Sequence, residues 1–183
     1  MFTVYEKKII HELSNVLDQV DSSQVQELMD SIDQAERIFF VGVGRVLLSL
    51  QAIAKRLNHL GYDTVVVGQI TEPAITEKDL LIVGSGSGET GFPLFIASKA
   101  KKFHAKVAHL GINPASSMAQ YTDVFVRIPA SGKRESQEKL SIQPMTSLFE
   151  QSLLLVGDTI ALMIVDEKKI DLPSLWQFHA NLE

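Results

Sequence analysis

Two rhythms of apolar residues alternate along this chain. Residues 38–41, 64–67, 80–83, 107–110 and 124–128 are short runs rich in Val, Ile, Leu and Phe, the composition of strands buried on both faces. Between them, apolar positions recur at helical spacing. Leu48, Ala52, Ile53, Leu57 and Leu60 lead to a stop at Gly61, and Phe92, Leu94, Phe95, Ile96, Ala97, Ala100 and Phe103 share one side of another helix. A short helix is expected from about residue 114, and a long one over residues 144–166. Strands alternating with helices imply right-handed crossovers, so the pattern predicts an α/β fold: a five-stranded parallel sheet, doubly wound, in flavodoxin-like order.

Two further helices precede the first strand. Ile9, Ile10, Leu13, Val16, Leu17 and Val20 mark one, Asp21-Ser22-Ser23 breaks and recaps the chain, and Val25, Leu28, Met29 and Ile32 mark the other. They predict an added layer that covers the sheet or meets another subunit. Residues 129–142 are polar and rich in Gly, Ser and charge, hence a long loop, and residues 172–183 combine a short helical piece with a polar tail. No repeat or linker divides the chain. One domain is expected, with leading helices at 1–35, the α/β core at 36–166 and a tail at 167–183.

Candidate chemistry gathers where two of the strands run into glycine. The first is followed by Gly42-Val43-Gly44-Arg45, the third by Gly84-Ser85-Gly86-Ser87-Gly88-Glu89-Thr90 and then a helix. Glycine lets the backbone approach an anion, the N–H groups of a helix N-terminus carry partial positive charge, and the hydroxyls of Ser85, Ser87 and Thr90 can donate to its oxygens. In a sheet of this order the first and third strands flank the switch point, so both loops face one crevice. A phosphomonoester is the expected occupant. No Gly-Lys-Ser/Thr follows, which excludes a Walker loop. The third glycine of a dinucleotide fingerprint is missing after Gly42-Val43-Gly44, and no acidic residue ends the second strand at Gly68.

Charge and composition narrow the classes further. A net charge of -5 argues against a nucleic-acid partner, and Lys99, Lys101 and Lys102 read as a solvated helix face. With no cysteine there is no disulfide or thiolate chemistry, which is compatible with a cytoplasmic protein. The N-terminus lacks a signal-peptide pattern, and the apolar run at 153–165 is interrupted by Asp158, so no membrane span is expected.

The loop from Ser85 to Thr90 resembles the signature of the SIS (sugar isomerase) domain family, a phosphosugar-binding module of flavodoxin-like fold. Within it, the chain is similar to the 6-phospho-3-hexuloisomerases of the ribulose monophosphate pathway of formaldehyde fixation. The matching stretches are Val41-Gly42-Val43-Gly44-Arg45, Arg56-Leu57-Asn58-His59-Leu60-Gly61, the Ser85–Thr90 loop, Val126-Arg127-Ile128-Pro129, Gln143-Pro144 with Leu148-Phe149-Glu150, and His179-Ala180-Asn181-Leu182-Glu183. There is one departure: the family usually has serine and then glycine after the first-loop arginine, where this chain has Val46 and Leu47. That change removes a hydroxyl contact to substrate.

The resemblance implies isomerisation of a hexulose phosphate with neither a metal nor a redox cofactor, in a homodimer or homotetramer. It places the phosphate on Ser85, Gly86, Ser87, Gly88, Glu89 and Thr90, with Gly44 and Arg45 near the sugar. Glu150 interrupts the apolar face of Leu148, Phe149, Leu153 and Leu154, and the family's proton-accepting glutamate falls at this position. His59 lies near the place where a related aminosugar isomerase carries its catalytic glutamate, and can shuttle a proton or polarise a carbonyl. His179, in the tail, can complete a neighbouring subunit's site. His104 and His109 have no carboxylate at ligand spacing and read as structural. The rival readings are a non-catalytic sugar-phosphate sensor that acts on a partner through the two leading helices, and an isomerase of another phosphosugar.

Overall fold

In each buried strand, successive side chains point to opposite faces. Ile38, Phe40, Leu80 and Ile82 therefore enter one core, and Phe39, Val41, Leu81 and Val83 enter another. The computed structural model describes residues 1–130 and 141–182. Its five strands, β1 (Ile38–Val41), β2 (Thr64–Val66), β3 (Leu80–Gly84), β4 (Lys106–Gly111) and β5 (Val124–Arg127), are all parallel in the order β2-β1-β3-β4-β5. The predicted flavodoxin-like sheet is the one observed.

The first core is the thicker. Over it lie α3 (Gly44–His59) and α5 (Ser147–Glu167), with α1 (Phe2–Leu17) against α5 and α2 (Ser22–Gln34) against β5. Helices α3 and α5 pack closely at Gly157, where any Cβ would run into the side chain of Ile53. Helix α5 is long and apolar enough to cross a bilayer, but 56% of its most apolar stretch is buried inside the protein, where it serves as the core helix. The leading helices thus extend the layer on this face, and Gln24 Oε1 accepts from the backbone N–H of Arg127 at 2.8 Å, tying α2 to edge strand β5.

Among the described residues, the helical cover of the opposite face is α4 (Gly91–Lys102) and a 3-10 turn, Ser117–Tyr121. Here one expectation is corrected. Phe92, Phe95 and Phe103 do not face the sheet; they are 50%, 56% and 55% exposed. Pro93, Ala97 and Ala100 are buried instead, since small side chains let α4 lie close to the strands. Leu48 and Ala52 on α3 likewise point outward, and Leu50, Ile53, Ala54 and Leu57 form its buried stripe. Lys101 pairs with Asp123 at 2.7 Å.

Boundaries shift at two places that matter for the site. Helix α5 starts at Ser147 rather than near 144, because Met145 is held at φ 59°, a left-handed conformation that a helix does not admit. The helix expected from 114 is the 3-10 turn at Ser117–Tyr121. Most of the predicted 129–142 loop lies outside the described residues. Its far end is anchored by Glu12 of α1, whose carboxylate accepts from Ser141 Oγ (2.7 Å), Ile142 N (2.9 Å) and Gln143 Nε2 (3.0 Å). The tail forms a 3-10 helix, Leu172–Phe178, that packs on α3.

Candidate active site

The loops after β1 and β3 emerge side by side, since these strands are neighbours in the sheet. In the first, Gly44 has φ +58°, and this turn starts α3 with Arg45 in its opening residues. In the second, the Ser85 carbonyl accepts from Gly88 N (3.2 Å), and Ser85 Oγ accepts from the same N–H at 3.1 Å while lying 3.3 Å from Thr90 Oγ1. Gly88 takes φ +67°, and a Cβ there would also collide with Ser116. The loop continues the β3–β4 pairing past the strands, with Ser85 N donating to the Leu110 carbonyl (3.2 Å) and Ile112 N to that of Gly86 (2.9 Å).

The first turn of α5 closes the third side. Together these segments enclose a cleft of about 520 Å³ lined by Val43–Val46, Gly84–Ser87, Thr90, Ile112, Asn113, Met145, Thr146, Phe149 and Glu150. Glu150 is the buried acid of this cleft. Its Oε2 pairs with Arg45 Nε at 2.5 Å, and its Oε1 accepts from Thr146 Oγ1 at 2.7 Å. The Glu150 side chain is only 9% exposed against 65% for that of Arg45, and the N-terminal turn of α5 favours a carboxylate there. Ser49 Oγ donates to the Glu150 backbone carbonyl at 2.9 Å, which joins α3 to α5 beneath the pair. The cleft therefore combines backbone and hydroxyl donors for an anion with one guanidinium and one carboxylate, between walls formed by Val46, Ile112, Met145 and Phe149.

Of the residues singled out from sequence, Gly44, Arg45, Ser85, Gly86, Ser87, Thr90 and Glu150 line this cleft. Gly88 is buried beneath it, and the Glu89 carboxylate accepts from Ser117 N at 2.7 Å, tying the loop to the 3-10 turn. His59 and His179 come together elsewhere. Their rings stack at 5.3 Å and 19° in a second cleft of about 220 Å³, lined also by Arg56, Leu172, Leu175 and Trp176, with no residue common to the first. Sequence reasoning placed Glu150 against apolar surface and missed its polar partner Thr146, although four residues is one helical turn. It also missed Asn113, which follows β4 at the same end of the sheet. Among the described residues, no group of three or more His, Asp or Glu could hold a metal ion.

A parallel sheet of this order, with a Gly/Ser loop beside an Arg–Glu pair at its carboxyl end, defines a class of phosphosugar-binding domain. The SIS domain model matches residues 31–161, and the chain belongs to the SIS domain family. It is 41% identical over 182 residues to the 3-hexulose-6-phosphate isomerase of Bacillus subtilis, covering 99% of this chain and 98% of that one. It is 40% identical over 172 residues to the protein of the same name from Mycobacterium gastri, covering 94% and 86%. Among solved structures, a hypothetical protein superposes with a TM-score of 0.91 at 32% identity, covering 99% of this chain and 97% of that one. A Methanococcus jannaschii protein, whose crystal structure was taken to infer a function as 3-hexulose-6-phosphate isomerase, gives 0.82 at 27% identity, covering 100% and 98%. The fold class and the family resemblance both hold.

Proposed function

We propose that this protein is a phosphosugar isomerase that interconverts D-arabino-3-hexulose 6-phosphate and fructose 6-phosphate. The observation that carries this reading is the convergence of Glu150, Arg45 and the Ser85–Thr90 loop on one cleft, and the near full-length similarity to isomerases of that name supports the choice of sugar. The phosphate sits on the loop amides and on Ser85, Ser87 and Thr90, which leaves the carbonyl end of the open chain toward Glu150.

The reaction moves a carbonyl from C3 to C2. Glu150 takes the proton from C2, the electron pair of that C–H bond forms the C2–C3 double bond, and the C3 carbonyl oxygen becomes an enediolate oxygen. The same proton is returned to C3 as the O2 hydroxyl becomes the carbonyl, and the proton released from O2 passes to the O3 oxyanion, which becomes the C3 hydroxyl. Arg45, beside Glu150, supplies positive charge where the oxyanion develops. In the 3-ketose the O6 hydroxyl that would close a five-membered ring is esterified, so the substrate enters as the open chain.

The working form is a homo-oligomer in which the His59–His179 cleft of one subunit contributes to proton handling at another. The exposed apolar residues Leu172 and Trp176 beside that cleft support an interface there. Conversion of 3-hexulose 6-phosphate to fructose 6-phosphate by the purified protein tests the reading, with Glu150→Gln alongside. The variant is expected to lose about 10³-fold in kcat while still binding fructose 6-phosphate. A wild type that binds this sugar phosphate and turns over nothing favours the sensor reading or a different phosphosugar instead.

A further inference from the structure

His109 lies under the phosphate loop, and the reaction does not use it. It sits on β4, 1% exposed, on the face of the sheet that carries α4. Its Nε2 is 2.8 Å from the Ser85 carbonyl oxygen. A carbonyl can only accept, so this nitrogen carries the proton. Burial pushes the pKa of His109 down, against a smaller opposing effect of the bond to Ser85, and the ring is neutral at physiological pH.

The surroundings are shaped to the imidazole. Phe125 packs against it at 5.1 Å in a tilted arrangement. A Cβ on Gly111 would run into Nε2 and Cε1, and one on Gly88 would come within 3.2 Å of Cε1. Two glycines from separate segments thus leave room for one ring. A residue that only filled space would need the room but not the donor, whereas here the donor meets the carbonyl that also receives Gly88 N–H and closes the turn.

We propose that His109 is a positioning residue for the phosphate loop: by donating from Nε2 to the Ser85 carbonyl it fixes the Ser85–Gly88 turn whose amides and hydroxyls receive the substrate phosphate. This rests on the reading of the cleft as a phosphosugar site. Removing the donor loosens the turn and weakens phosphate binding, while Glu150, carried by α5, keeps its place. The signature is therefore a rise in KM with kcat retained.

The test compares wild type, His109→Phe, which keeps ring bulk without a donor, and His109→Gln, which restores an amide donor. Hydrogen exchange of the Gly88 amide, measured without ligand, is expected to accelerate about 10-fold in H109F, with the α5 amides unchanged. KM for the hexulose phosphate is expected to rise by a similar factor, with kcat within about twofold of wild type, and H109Q to recover most of both. Unchanged exchange and KM in H109F would overturn the role of His109, as would H109Q matching H109F in both while melting like wild type. Because exchange is read without substrate, faster exchange at Gly88 in H109F upholds the clamp even where wild type shows no turnover, and that second result would defeat the isomerase reading alone.

Discussion

The two glycine loops that meet over the sheet are built on opposite plans. In the loop after β1, Val43, Gly44 and Arg45 are all exposed, and the Arg45 side chain is held to the cleft by its pair with Glu150. In the loop after β3, Ser85 and Gly88 are buried, and the turn is closed by bonds from Gly88 N, His109 Nε2 and Ser85 N. The second loop is a cradle ordered by folding itself, so the phosphate binding proposed for it would order little more. The first is an arm. It offers a cation paired with Glu150, which under the proposed function stands beside the charge that develops on the sugar.

If that contrast is right, a methyl group should cost far more in one loop than in the other. Gly88→Ala combines a left-handed backbone with a collision against Ser116 and is expected to destabilise the protein by about 2–4 kcal/mol, read from denaturant midpoints, and to raise KM. Arg45→Ala leaves the cradle intact and removes the arm's charge. A loss of about 100-fold in kcat/KM is expected at unchanged melting temperature. A drop in stability instead would make the Arg45–Glu150 pair structural. Gly44→Ala shares the positive φ of Gly88 but meets open space, so only about 1 kcal/mol is expected. Equal losses for the two alanines would erase the distinction between the loops.

The smallest effect concerns the third side of the cleft. Burial alone pushes the Glu12 pKa up, but the bonds from Ser141, Ile142 and Gln143 and the nearby charge of His11 outweigh it and hold the carboxyl below its ordinary value. Glu12 therefore stabilises the fold above its unfolded pKa, and this contribution is lost as pH falls through the lowered one. Glu12→Gln is expected to cost about 0.5–1 kcal/mol near neutrality, reduced by solvent screening, and the difference from wild type should vanish under acid. A gap that persists at low pH would assign the anchor to a contact that glutamine loses whatever the charge, and no gap near neutrality would assign it to hydrogen bonds that glutamine also makes.

Much of this was legible in the chain because it is local. A run such as Leu80-Leu81-Ile82-Val83 is buried on both faces whatever covers it, and alternating glycines before a helix present donors by their own backbone geometry. Together with the order of the elements, these determined the sheet, the two loops and the crevice between them. The orientation of α4 was not legible: its phenylalanines and its alanines are equally periodic, and only the distance between helix and sheet chose the alanines. Nor were the partners of the charged groups in the cleft. Arg45 and Glu150 stand 105 residues apart, and they meet because α3 packs against α5. His59 and His179 are joined by the docking of the tail on α3. Periodicity and glycine placement are properties of neighbours along the chain, so the sequence by itself determined where the two glycine loops stand; which charge stands beside which is a property of helices packed across a core, and only the tertiary structure decided it.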